Sequence, residues 1–402
     1  MVFLLLLGFS SGLPLYLTRD TLQAWMSGSG VSLAAIGAFS LVGLPYSLKF
    51  LWAPLVDRFA PPFLGRRRGW MVLTQVALVL AIGAMALQDP RGALQWLAIN
   101  ALVIACLSAT QDIAFDAYRT DVLEEHELGA GAAIGVLGYR VALLLTGSAA
   151  LVLADRLSWP VVYLAMAALM GVGILTALRA PEPAARASPP HTLAEAVKLP
   201  FFEFFGRSGL SRGVFILVFI VLYKLGDSLA LVMSTPFLLE TGFTQTDIGA
   251  IKGGLGLAAT IVGVLAGGAV LSRLGVYRSL WVFGGLQAVS NLAYFGLALA
   301  GNNYPFMVVT ISIENFCAGL GTAAFVAFLM SLCNPSFSAT QYALLSSLMA
   351  LSSTIVVSPA GLLVQATGWP WFFAITLVAA LPGLLLLPWF APWNTRSVTG
   401  DS

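Results

Sequence analysis

Two carboxylates, Asp112 and Asp116, sit inside a long apolar run that begins near Leu94, with Arg119 and Asp121 at its end. On a helix these spacings stack Gln111, Asp112, Asp116 and Arg119 near one face. Hydrocarbon penalises such groups by roughly several kcal/mol each, so they must face protein or water. A carboxylate beside a cation can exchange a proton, or make and break an ion pair, because each charge depends on the other.

Similar groups interrupt other apolar runs. At about 1.5 Å per residue across a core of about 30 Å, Arg140, Lys224 and Glu314 fall near the middle of their segments. Asp227 lies one turn from Lys224 on the same face, Asn291 is a neutral group in a neighbouring segment, and Asn315 follows Glu314. Glu314, Asp227 and Asp112 are the proton-coupling candidates. Lys49, Gln111, Tyr139, Arg140, Tyr223, Lys224, Asn291 and Asn315 are the substrate-binding candidates, the cations for an anionic group and the tyrosines for stacking on a sugar face. Asp57, Arg58, Arg66, Arg67, Arg68, Asp116, Arg119, Asp121 and Arg273 gather at segment ends, as an ion-pair gate would. Arg19 and Asp20 mark an outer vestibule at the far end of the first segment. Against these readings stand static register pairing for Lys224 and Asp227, a plain topology signal for the triple arginine, and aromatic packing for Tyr118, Tyr139 and Tyr223.

The frame that positions these groups is a membrane one. The 402 residues are 59% hydrophobic and 9% charged, where soluble domains carry about 25% charged residues. Cys106, Cys317 and Cys333 show no metal or redox spacing, and His126 and His191 lie in loops, so no metal, cofactor or nucleic-acid partner is expected. The chain opens on Val2-Phe3-Leu4-Leu5 with no basic region before it, which reads as a retained first span rather than a signal peptide.

Twelve segments are long and apolar enough to span a bilayer: 2–26, 32–55, 70–88, 94–119, 130–153, 159–178, 213–237, 246–271, 279–299, 304–331, 339–364 and 370–390. Of the 20 lysines and arginines, thirteen lie at the boundaries that would be cytoplasmic if the N-terminus is, and only Arg91 and Arg156 at the opposite ones. The positive-inside rule therefore puts both termini in the cytoplasm. Residues 180–212 read as a cytoplasmic linker, with Pro181-Glu182-Pro183 and Ser188-Pro189-Pro190 followed by an amphipathic helix from Thr192 and the phenylalanines 201, 202, 204 and 205. It divides a bundle at 1–179 from another at 213–391, with a tail at 392–402.

The halves repeat. Ser32-Leu33-Ala34-Ala35-Ile36-Gly37-Ala38 matches Thr244-Gln245-Thr246-Asp247-Ile248-Gly249-Ala250, each with a Ser/Thr N-cap, and Trp159-Pro160 matches Trp369-Pro370. Asp57-Arg58 and Gly65-Arg66-Arg67-Arg68 correspond to Ser272-Arg273-Leu274-Gly275-Val276-Tyr277-Arg278. Halves of six crossings repeat in parallel, as in major facilitator transporters. The fold expected is all-α, twelve transmembrane helices in two parallel-repeated six-helix bundles. Gly129, Gly131, Gly135 and Gly138, like Gly253, Gly254 and Gly256, read as sites of close helix approach.

Long ordered runs also resemble one known family. Gly8-Phe9-Ser10-Ser11-Gly12-Leu13-Pro14-Leu15, Lys49-Phe50-Leu51-Trp52-Ala53-Pro54-Leu55-Val56-Asp57-Arg58, Pro61 to Trp70 and Gln111 to Leu123 are similar to the AmpG family of bacterial muropeptide permeases. So are Leu222-Tyr223-Lys224-Leu225-Gly226-Asp227 and Leu332 to Gln341. The resemblance implies a monomeric, multi-pass transporter in the bacterial inner membrane. Its cargo would be N-acetylglucosaminyl-1,6-anhydro-N-acetylmuramic acid and its peptides, imported with protons from periplasm to cytoplasm for peptidoglycan recycling and β-lactamase induction. Two stretches depart from that pattern. Arg19-Asp20 stands where small neutral residues are expected, and Ala350-Leu351-Ser352-Ser353 where a Gly-Arg pair would mirror Gly138-Tyr139-Arg140. The departures favour, as the alternative, another sugar, a peptide or an acyl-CoA as cargo. A membrane enzyme acting on lipid-linked sugars would want acidic or histidine clusters in sizeable loops, which the short outer loops lack.

Overall fold

The computed structural model describes residues 1–31, 35, 39–92, 94–183, 192–351 and 359–390, and every regular element among them is helical. The chain forms two compact units, Met1–Phe202 with Met330–Ser347, and Glu203–Leu329 with Leu348–Ser402.

In the first unit, helices α1 (Val2–Leu17) and α2 (Asp20–Gly28) make one broken span. Pro14 sits inside α1, and the Thr18 hydroxyl donates to the Leu15 carbonyl at 3.1 Å near the break, the kind of local repair that lets a membrane helix tolerate proline. Short turns of helix follow, α3 (Leu44–Leu48) and α4 (Ala53–Arg58), then the long helices α5 (Arg66–Ala86) and α6 (Leu94–Val122). The fifth span is α7 (Leu128–Leu144), a π-helical turn at Leu145–Ala149, and α8 (Ala150–Ala154), and the sixth is α9 (Trp159–Arg179). Trp159 stacks on Trp25 with centroids 6.0 Å apart, and the Tyr163 hydroxyl closes this core on the Leu17 carbonyl at 2.8 Å. The linker carries α10 (Leu193–Ser208), with Ala196 and Phe204 buried and Phe202 exposed, as an amphipathic helix requires.

In the second unit, α11 (Leu210–Tyr223) and α12 (Leu225–Glu240) are one span broken at Lys224, whose φ of −99° and ψ of 3° leave the helical region. The eighth span is α13 (Gln245–Ile251), a π-helical turn at Lys252–Gly256, and α14 (Leu257–Leu274). Thr244 begins it with a capping box: its hydroxyl accepts from the Asp247 amide at 3.1 Å, and the Asp247 carboxylate accepts from the Thr244 amide at 3.3 Å. The matching Ser32 lies outside the described residues. Helices α15 (Val276–Ala300), α16 (Tyr304–Ser331), α17 (Ser338–Leu351), α18 (Ala360–Thr367) and α19 (Trp369–Phe390) complete the chain; α17 begins in the first unit.

Ten helices among the described residues are long and apolar enough to cross a membrane. Their limits follow the expected spans to within a few residues; the tenth, Tyr304–Ser331, is identical. The expected second and eleventh spans each contain undescribed residues, so twelve remains an expectation. The glycines divide. Gly138 in α7 packs so tightly on α1 that a Cβ would collide with the Leu5 carbonyl oxygen, which is the close approach expected. Gly256 also packs, 3.2 Å from Ile311 Cγ2 as judged from its missing Cβ, but Gly253 and Gly254 would meet nothing within 4 Å. Packing does not explain those two.

Gly138→Ala should therefore destabilise the purified protein by about 1–3 kcal/mol or more through overpacking. Gly253→Ala should change it by less than about 1 kcal/mol. Thermal unfolding in detergent, followed by the loss of monodisperse protein, compares the two.

Candidate functional site

The triple arginine at the start of α5 is three devices rather than one patch. Gly65, with φ +82°, turns the chain into α5, and Glu182 reaches over that end to accept from the Arg67 amide at 2.9 Å and the Arg68 amide at 3.0 Å. A carboxylate at a helix N-terminus satisfies orphan donors and meets the positive end of the dipole. Arg68 does the converse for α9, donating to the Ala177 carbonyl at 2.8 Å and to the Leu178 carbonyl. Arg66 reaches the Pro335 carbonyl at 3.3 Å and lies 3.9 Å from Asp121.

Arg67 is the centre. Its side chain is 1% exposed, with Nε on Asp121 at 2.7 Å and Nη2 on Asp57 at 2.9 Å and on the Ser338 hydroxyl at 2.8 Å. Asp57, fully buried, also accepts from the Thr340 amide at 2.8 Å and the Thr340 hydroxyl at 2.7 Å. Asp57 thus caps α17 while Arg67 neutralises it, and residues far apart in sequence are tied by one buried charge cluster.

The carboxylates that open the sequence argument form a second cluster in the same unit. Asp116 holds Lys49 at 3.3 Å and Arg119 at 2.8 Å. Arg119 also donates to the Tyr342 hydroxyl and lies between the rings of Phe115 and Tyr342, at 5.5 and 5.1 Å. Asp112 accepts from the Ser11 hydroxyl and lies within electrostatic reach of Lys49, Tyr46 and Tyr139. Arg140 is half-buried beside Tyr139 and makes no ion pair among the described residues. Gln111 is buried, with neither amide atom hydrogen-bonded among the described residues.

The second unit carries its own polar interior. Lys224, at the break between α11 and α12, pairs with Asp227 at 3.1 Å. The Tyr223 hydroxyl bonds to the Leu280 carbonyl at 2.9 Å while its ring stacks on Phe325, so this tyrosine is committed to packing. Glu314 is buried and accepts from the Asn315 amide at 3.0 Å; Asn315 in turn accepts from the Thr260 hydroxyl at 3.0 Å. Asp227, Lys224 and Lys252 all lie within electrostatic reach of Glu314. Gln287 and Asn291 are buried, with side-chain amides unbonded among the described residues.

Other expected site residues stand apart. Arg58 lies over the Phe59 ring at 5.3 Å, and Arg273 is exposed; neither pairs with a carboxylate among the described residues. Arg19 and Asp20 are exposed at the break between α1 and α2 and make no ion pair with each other. Lys252, Gln75, Gln287, Ser11, Glu182 and Tyr342 were not singled out by the sequence. The three in-span groups, Lys252, Gln75 and Gln287, interrupt apolar runs and carried the same signal as Asn291. Glu182 and Tyr342 meet their partners across more than a hundred residues, which no local spacing announces.

This arrangement, buried charges paired inside apolar helices, has known relatives. The sequence model of the major facilitator superfamily matches residues 1–356. The anhydromuropeptide permease of Escherichia coli K12 is 51% identical over 96% of this chain and 78% of its own length. The chain belongs to the AmpG family of the major facilitator superfamily. A Rickettsia felis relative carrying the AmpG name is 36% identical over 95% of the chain and 94% of its own. Among solved structures, the transporter FucP in its outward conformation superposes with a TM-score of 0.73, at 13% identity, over 96% of this chain and 97% of that one. The proton:xylose symporter XylE bound to 6-bromo-6-deoxy-D-glucose gives 0.69, at 10% identity, over 97% and 94%. At those identities the likeness establishes the fold, and this AmpG-family protein is a multi-pass membrane transporter rather than an enzyme.

Removing Arg67 strands two buried carboxylates. Arg67→Met should cost about 3–5 kcal/mol, and Arg67→Lys should recover little of it because an ammonium cannot reproduce the guanidinium fork. Arg68→Gln, which removes one exposed helix cap, should cost about 1 kcal/mol or less. Melting temperatures of the three variants in one detergent test the ranking.

Proposed function

We propose that this transporter imports N-acetylglucosaminyl-1,6-anhydro-N-acetylmuramic acid and its peptides across the bacterial inner membrane, from periplasm to cytoplasm, together with protons. The observation that carries the reading is the 51% identity, over nearly the whole chain, to the Escherichia coli anhydromuropeptide permease. Both termini lie in the cytoplasm, on the strength of the lysine and arginine distribution. Two six-helix bundles, 1–179 and 213–391, joined by the linker 180–212 and followed by a tail at 392–402, alternate access to the cargo.

Roles follow from chemistry. The cargo is anionic and rich in hydroxyls. Arg140, which makes no ion pair among the described residues, suits oxygen acceptors of the cargo, and Gln111 and Asn291, with amides unbonded among the described residues, suit hydroxyls and acetamido groups. Lys49 and Tyr139 in the first unit, and Lys224 and Asn315 in the second, are further cargo contacts; Tyr223, whose ring and hydroxyl are taken by Phe325 and the Leu280 carbonyl, is not one. Glu314, Asp227 and Asp112, buried or half-buried and each next to a hydroxyl, an amide or an ammonium, are the proton carriers. While Arg68 stays with the cap of α9, the Arg67 cluster with Asp57, Asp121 and Arg66, and the Asp116–Arg119 pair with Tyr342, form a gate. Its ion pairs hold the start of α17 in one state and separate in the other. Arg58 and Arg273, which pair with no carboxylate among the described residues, take no part in that gate, and Arg19 with Asp20 forms the outer vestibule.

Uptake of labelled anhydro-muropeptide into proteoliposomes, with and without an inward proton gradient, tests the function; accumulation above equilibrium that needs the gradient is the expected result, and equal uptake without it would sink the coupling. Glu314→Gln separates the two half-reactions. A group that only carries the proton is dispensable for counterflow, so exchange should fall less than about threefold while uphill uptake falls at least about tenfold.

A further inference from the structure

Cations inside apolar spans must be neutralised or be kept for something that will neutralise them. Lys49, Arg119 and Lys224 each have an aspartate. Lys252 does not. Its ammonium is held by two neutral hydroxyls, Ser234 at 2.8 Å and Thr235 at 2.7 Å, and it makes no ion pair among the described residues. Hydroxyls orient an ammonium without cancelling its charge.

The surroundings of Lys252 have the form of a site. It opens the π-helical turn Lys252–Gly256, a widened stretch of a kind that recurs at functional positions. Gly253 and Gly254, the next two residues, are exposed and lack any neighbour that a Cβ would touch. The turn therefore offers side-chain-free surface beside an uncompensated cation.

The charges around it are few and mixed. Glu314 of α16 is the carboxylate within electrostatic reach of Lys252, yet it bonds to Asn315 instead. Glu314 is in turn reached by Asp227 and Lys224 at the break of the seventh span, Tyr294 on α15 and Cys317 on α16. A second anion arriving at Lys252 would face an ionised Glu314 as a like charge, and a like charge within reach favours the protonated form of a carboxyl group.

We propose that Lys252 is the cation that binds a carboxylate of the cargo, and that Glu314 holds a proton while that carboxylate is bound. Cargo recognition and proton uptake are then electrostatically coupled. The proposal rests on the muropeptide reading above and names a specificity residue within it.

The test compares two probes in proteoliposomes: the peptide-free N-acetylglucosaminyl-1,6-anhydro-N-acetylmuramic acid, with its free lactyl carboxylate, and the corresponding lactyl amide. Losing one charge-assisted contact should lower the acid-to-amide ratio of kcat/KM roughly ten- to hundredfold in Lys252→Gln, with Lys252→Arg keeping most of it. In wild type the KM for the acid should rise with pH, and in Glu314→Gln that rise should vanish. An unchanged ratio in Lys252→Gln overturns the proposal while leaving muropeptide transport standing. If Lys252→Gln moves neither probe, Lys252→Arg decides: restored preference for the acid supports the proposal, and its absence overturns it. Wild-type protein that moves neither probe overturns the muropeptide reading, and the proposal with it.

Discussion

A charge in hydrocarbon has to be answered by another charge or by dipoles, and that constraint orders nearly every polar contact in this chain. Arg67 satisfies it with two carboxylates and a hydroxyl, Arg119 with one carboxylate, a phenol and two aromatic faces, and Arg68 with the carbonyls at the end of α9. The three solutions differ in strength. Arg67 is buried with both acids, so its cluster is difficult to open without replacing partners. The Arg119 set mixes charge with the softer attraction of rings, which survives modest displacement.

The frame of the fold was legible because hydrocarbon leaves so little choice. A segment either satisfies its own backbone as a helix or does not span, so apolar length alone located Tyr304–Ser331 and came close for the other spans found among the described residues. Breaks were less legible. Pro14 hinted at the interruption near Thr18, but nothing local announced that the seventh span would break at Lys224. The π-helical turn at Lys252–Gly256 was also silent, and its glycines were read as packing because glycine serves both purposes.

At the site, chemistry was legible one residue at a time and partnership was not. Asp57, Arg67, Asp121, Asp116 and Arg119 were expected together at segment ends as an ion-pair gate, but their burial was not expected. That they divide into two clusters, one built on Arg67 and one on Asp116, depends on Ser338, Thr340 and Tyr342, which lie more than two hundred residues on. Tyr223 shows the reverse. Beside a lysine it suggested a sugar platform, whereas its ring and hydroxyl are both spent on packing.

The pair of reciprocal caps at α5 and α9 bears on how the chain can be divided. Glu182 closes the start of α5, and Arg68 closes the end of α9, so two helices that are far apart in sequence finish each other. A severed first half that ends at Arg179 loses the acceptor for two backbone amides, and one that continues through Pro183 retains it. Split-protein reassembly, tag insertion and circular permutation therefore have a natural cut point after residue 183 rather than at the last turn of the sixth span.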